Sequence, residues 1–140
     1  CLLNYKRFKY LDLKSKMKFE GFSLETFKVE HLGLDAKAFQ FNFGGKIVAY
    51  SGDAGLPAGV AKAAKNANLL IVDCSTPGNE ISKAHLNTAQ VGEICRDSQV
   101  KQVILSHQVP PGYNIDMVGQ VRRIYKGKIT LAKDLMQIEL

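Results

Sequence analysis

The sequence predicts an α/β domain, a sheet with some parallel pairs and helices packed on it. Three observations carry that reading. Apolar runs at 47–50, 69–72 and 100–105 each stop abruptly at polar residues. Between and after these runs lie segments of helical composition or spacing, at 57–67, 89–96 and 115–125. Ahead of them, Phe27 and Val29, then Phe39, Phe41 and Phe43, alternate with polar residues at a period of two. Strands that alternate with helices build sheets with parallel pairs.

The elements follow in order. Residues 1–20 read as one or two extended segments, and Gly21 punctuates them. Phe27 to His31 is a half-buried strand, and Leu32 to Lys37 a loop. Phe39 to Phe43 is a strand, and Gly44-Gly45 supplies the two positive-φ positions of a tight hairpin. Lys46 to Tyr50 then returns antiparallel. The alanine-rich 57–67 segment predicts a helix, with Pro57 in the first turn, where a missing N–H costs nothing. The run 69–72 is apolar throughout, as expected of a strand buried on both faces. Asn87 or Thr88 can cap the 89–96 helix. Ile115, Val118, Val121, Ile124 and Tyr125 repeat at helical spacing, and Gly127 is a plausible stop. Segments 129–132 and 135–140 read as short strands.

Length and composition bound the function. A chain of 140 residues suits one domain with a real core. With 46% hydrophobic and 23% charged residues it is ordinary globular material. No apolar run approaches the roughly 20 residues that span a bilayer, so no membrane partner is expected. Cys1, Cys74 and Cys95 are an odd count without CxxC spacing. They argue against a disulfide scaffold and fit a reducing cytoplasm. The chain opens on Cys1, not Met, which suggests a piece of something longer. The net charge is +6. Much of it falls early, on Lys6, Arg7, Lys9, Lys14, Lys16 and Lys18, interleaved with Tyr5, Phe8, Tyr10 and Phe19. Such a stripe is either a solvated strand face or a surface that tracks a phosphate backbone, RNA included.

Chemistry in open α/β sheets collects at the carboxyl ends of strands. Here those ends carry His31, Asp53, Asp73 and His107, with His85 on a nearby loop. The chain has only three histidines. Imidazoles and a carboxylate at strand ends are a metal-site pattern suited to zinc, manganese or iron. A carboxylate shared between ions can hold two of them about 3.5–4 Å apart. No G-x-S-x-G elbow supports a serine hydrolase, and no G-x-x-x-x-G-K-[ST] supports a phosphate loop.

Four stretches resemble a known family: IVAYSGDAG (47–55), LLIVDCST (69–76), AHLNTA (84–89) and VILSHQVP (103–110). Together, from about Phe27 to Leu140, they are similar to the second half of the metallo-β-lactamase fold. The nearest flavour is the branch with the tRNA-processing ribonuclease Z and many uncharacterised hydrolases. The resemblance implies the C-terminal half of an αββα sandwich, and a metal-activated water that attacks an ester, phosphodiester or amide. It implies His31, Asp53 and His107 as ligands of two divalent ions, zinc first, with manganese or iron as alternatives. Asp53 would bridge and orient, and His85 would assist proton transfer. The family's His-x-His-x-Asp-His cluster is absent from the chain. Ala54 stands where the family has Thr, Leu86-Asn87 departs from the His-Ser-Thr pattern, and 108–111 lacks the final motif's aromatic and arginine. These departures favour a generic hydrolase over tRNA processing. They also imply that the chain alone is inactive and associates with a second copy or with the missing half. The alternatives are an incompetent half-domain and a basic nucleic-acid-binding module.

Overall fold

The computed structural model describes residues 11–78, 80–108 and 114–140. The order is β1 (Lys16–Phe19), β2 (Phe22–His31), β3 (Leu34–Phe43), β4 (Lys46–Tyr50), α1 (Pro57–Ala64), β5 (Leu69–Asp73), α2 (Thr88–Asp97), β6 (Gln102–Ser106), α3 (Met117–Arg122) and β7 (Lys128–Leu131). The seven strands form one mixed sheet in sequence order. β1 to β4 are an antiparallel meander, and β4 to β7 are parallel. The α/β class and the parallel pairs are therefore as predicted. Because β2 and β4 both run antiparallel to β3, they point the same way. The carboxyl ends of β2, β4, β5 and β6 thus share one edge of the sheet.

Alternation sorts the strand residues onto two faces. The row Gln40, Ala49, Leu70, Val103 and Ile129 lies on the face under the helices. There Ala49, Leu70, Val72, Val103 and Leu105 pack with Val60 and Ala63 of α1, Val91 and Cys95 of α2, and Val121 of α3. Leu70 is fully buried, and its truncation to Ala should cost about 2–5 kcal/mol. The opposite face carries Leu24, Phe41, Val48 and Leu69 in one row and Phe39, Tyr50, Ile71 and Ile104 in the next. Phe19, Phe43 and Tyr50 remain exposed there.

Several boundaries differ from expectation. Segment 32–37 is no loop: Leu32 and Gly33 make a two-residue turn, both at positive φ, and β3 begins at Leu34. That turn conformation normally selects Asn or Gly, so leucine hides it. Gly44-Gly45 is the expected hairpin, with φ 62° and 96°. α1 starts at Pro57 as predicted but stops at Ala64, because Asn66 takes a positive φ and its N–H turns away to the Ser98 carbonyl. Asn87 caps α2 and, with Gln90, completes a capping box. α3 covers only part of 115–125. Asp116 caps it, and its end tightens through bonds from Arg123 to Gln120 and from Ile124 to Val121. Gly127 is therefore not its stop. Residues 135–140 form no strand. Lys46 Nζ donates to the Leu140 carbonyl, which brings Leu140 beside the start of β4. The basic stretch around Lys6, Arg7 and Lys9 and the Pro110-Pro111-Gly112 turn lie outside the described residues.

Candidate metal centre

The shared carboxyl edge gathers all four residues singled out from the sequence. His31 ends β2, Asp53 follows β4, His107 follows β6, and His85 precedes α2. The His31 and His85 rings lie 5.5 Å apart between centroids, and the His85 and His107 rings 4.8 Å apart. His107 Nε2 stands 3.9 Å from Asp53 Oδ2, and both side chains are a little under half exposed. No pair has wandered to another face of the molecule.

Local structure fixes these side chains one by one. His31 Nδ1 lies 2.8 Å from the Ala84 carbonyl. A carbonyl only accepts, so Nδ1 carries the proton and Nε2 keeps the free lone pair. That contact needs the 83–85 segment to sit tightly against the Asp53 loop. Gly55 permits it: a Cβ there would fall 2.0 Å from the Lys83 carbonyl oxygen. The Gly55 N–H also donates to the Glu30 carbonyl at 2.7 Å, tying the Asp53 loop to the end of β2. His107 has φ 57°, a left-handed conformation uncommon for a residue with a side chain. Backbone strain of this kind collects at functional sites.

Asp73 and Ser75 play parts that the sequence reading did not assign. The Asp73 side chain is only 1% exposed, and its Oδ2 accepts from His85 Nδ1 at 2.8 Å. The same oxygen accepts from the Ala54 N–H at 3.2 Å. The Ser75 hydroxyl lies 2.6 Å from both Asp73 Oδ1 and the His107 carbonyl, sharing one proton between two acceptors. The Ser51 hydroxyl in turn accepts from the Asp73 N–H at 2.8 Å. A buried carboxylate so fully bonded holds His85 in one tautomer, with Nε2 free, and ties it to the His107 backbone. The available signal was a carboxylate closing an otherwise apolar strand, followed by two hydroxyl residues.

The donor set suits a divalent ion in part. Zinc binds imidazole nitrogen and carboxylate oxygen at about 2.0–2.2 Å, so two ligands of one ion sit a little over 3 Å apart. The His107–Asp53 separation of 3.9 Å is within a small side-chain rotation of that. Among the described residues, however, no three His, Cys, Asp or Glu side chains form a complete ligand set. Catalytic zinc normally takes three protein ligands, and the described residues of this edge fall short of that.

Comparison with solved structures identifies the architecture. The chain superimposes on the metallo-β-lactamase fold protein YhfI from Bacillus subtilis with a TM-score of 0.85 at 21% identity, covering 94% of this chain and 56% of that one. The short form of human tRNase Z aligns with a TM-score of 0.68 at 18% identity, covering 89% and 46%. Zn2+-bound PqqB from Methylobacterium extorquens aligns at 0.66 and 16% identity, covering 93% and 55%. The fold is that of the metallo-β-lactamase proteins, as the four sequence stretches suggested. The chain spans about half the length of these structures. A scan of protein-family models finds no match, and a search of curated protein sequences finds no significant one.

Proposed function

We propose that this chain is part of a metal-dependent hydrolase in which His31, Asp53 and His107 hold two divalent ions, zinc first. The convergence of three imidazoles and Asp53 on one sheet edge carries that reading. The ions, when bound, would supply Lewis acidity and a water of lowered pKa. The chain's own residues do the rest. His31 offers Nε2 because Ala84 occupies Nδ1. Asp53 stands within reach of His107 and is the candidate shared ligand. His85, oriented by Asp73 through its Nδ1–H, presents the Nε2 lone pair, which can take up a proton from water and then deliver it to a leaving oxygen. The substrate class is an ester, phosphodiester or amide. The presence of a tRNase Z among structures of this fold supports the phosphodiester, RNA included.

The test uses the intact gene product and bis(p-nitrophenyl) phosphate. Chelation should abolish hydrolysis, and Zn2+ or Mn2+ should restore it. Asp53→Ala should lower turnover at least about a hundredfold with the fold unchanged. Unaltered activity in that variant would refute the assignment.

The exposed aromatic face supports a second proposal: the 140-residue chain alone is inactive and pairs with a second copy or a further half-domain. Phe19, Phe22 and Phe43 cluster there, with ring centroids 4.8 and 5.4 Å from Phe22, and apolar sheet faces seek cover. Light scattering should return a dimer; a monodisperse, metal-bound monomer would refute it.

A further inference from the structure

The edge opposite the candidate centre has a charge pattern of its own. Three of the four parallel strands, β4, β6 and β7, are entered through lysine. Lys46 opens β4, Lys65 and Asn66 precede β5, Lys101 precedes β6, and Lys126 and Lys128 flank the entry to β7. All five lysines are exposed. Among the described residues, none of them pairs with an Asp or Glu, whereas Lys16, Lys37 and Arg96 each have a carboxylate partner; Lys46 donates to the Leu140 carbonyl and Lys126 to those of Arg122 and Arg123. The acidic residues near this edge are Glu20, Glu139, Glu93 and Asp97, the last two acting on Arg96. Asp35, Asp53, Asp73 and Asp134 belong to the other edge.

Helix dipoles explain part of the basic charge but not the row. The last turns of α1, α2 and α3 end at this edge and carry Lys62, Arg96 and Arg122, as cations at helix C-termini should. Lys126 caps α3, donating to the Arg122 carbonyl at 2.8 Å. Lys46, Lys101 and Lys128 lie on strand entries, outside the last turns of the helices. Strands spaced about 4.8 Å apart make the β4–β7 row about 14 Å long. A phosphate backbone lying along it would be neutralised by several of these lysines at once, releasing its counterions. Between the lysines the side chains are polar or buried: Asn66 and Gln99 are polar, and Val100 and Ile129 are buried. Phe43 and Leu140, both exposed, lie beside Lys46 at the β4 end of the row.

We propose that the amino-terminal edge of the parallel strands is a binding ridge for the phosphate backbone of a nucleic acid. It is independent of the metal centre, which lies about 15 Å away across the strands. Binding is electrostatic, not sequence-selective, and requires no divalent ion.

The experiment measures fluorescence anisotropy of a labelled 20-nucleotide single-stranded RNA of mixed sequence, in EDTA, from 50 to 200 mM KCl. Two triple variants remove equal charge. Lys101→Gln, Lys126→Gln and Lys128→Gln strip the ridge; Lys28→Gln, Lys37→Gln and Lys133→Gln strip the far edge. The ridge triple should lose roughly tenfold or more in affinity, and its log–log salt slope should fall by about 2, near 0.7 per lost contact. The far-edge triple should stay within about twofold. An unchanged ridge triple would overturn the proposal, as would equal losses in both triples. So would capture by phosphatidylserine vesicles without RNA binding. EDTA removes any hydrolase activity, so failure here leaves the metal reading untouched.

Discussion

At the residue scale, Asp73 is the side chain on which the most contacts converge. It is buried, accepts from His85, Ala54 and Ser75, and fixes the proton positions of its neighbours. Asp73→Leu roughly keeps the size but removes both acceptors from the His85 and Ala54 N–H groups and from the Ser75 hydroxyl. Leaving buried partners unsatisfied costs about 1–3 kcal/mol, and loss of a positioned acid should lower kcat by about 10²–10⁴. Urea titration and turnover of the intact gene product check both, and a variant with normal kcat would remove His85 from the proton path. Cys74 and Cys95 act differently. Burial pushes both thiols up to about 12, from 9.0. The native state then holds protons that the unfolded chain releases above pH 9. The stabilisation is whole below pH 9 and is lost as pH rises toward 12, by up to about 1.4 kcal/mol per pH unit from each thiol. Urea midpoints should fall across that window. Peptide mass mapping should find both thiols unlabelled by a thiol reagent until the chain unfolds.

At the element scale, local conformation decides what the sequence discloses. Strand alternation at 39–43, the Gly44-Gly45 hairpin and the Pro57 helix start are legible because backbone geometry and residue type agree. The Leu32-Gly33 turn is not, since Leu32 adopts φ 51° with an exposed side chain. Leu32→Asn should relieve that strain and raise stability by about 1 kcal/mol, read as a higher urea midpoint. An unchanged or lower midpoint would contradict the strain. The apolar spacing of 115–125 overstates α3, because periodicity does not reveal where a helix tightens into its last turn. Gly55 shows the reverse case, a residue that reads as an ordinary turn glycine yet makes room for the Lys83 carbonyl. Gly55→Ala should push the 83–85 segment outward, break the His31–Ala84 bond and disturb the ring signals of His31 and His85 in NMR spectra. A variant with unmoved histidine signals would show that the close approach is not needed.

At the scale of the whole molecule, topology makes the site. The antiparallel meander turns β2 and β4 the same way, and the crossovers through α1 and α2 align β5 and β6 with them. Residues 31, 53, 85 and 107 meet because strand ends meet. Histidines and carboxylates closing apolar runs made this grouping legible in the sequence. The Asp73 network was not, because a buried carboxylate at a strand end looks like any polar stop. The described residues contain no helix long and apolar enough to cross a membrane. The chain places one α layer over one β layer and spans about half the length of structures with this fold, and among its described residues no three His, Cys, Asp or Glu side chains gather as a ligand set.

The measurement that bears most directly on this picture is a Zn2+ titration followed through the imidazole ¹⁵N resonances of the histidines. The Nε2 signals of His31 and His107 should shift together and saturably, the Nδ1 signal of His31 should hold its protonated position, and Asp53→Ala should weaken the response at least about tenfold. Silence at either ring, or an undiminished response without the Asp53 carboxylate, would contradict it.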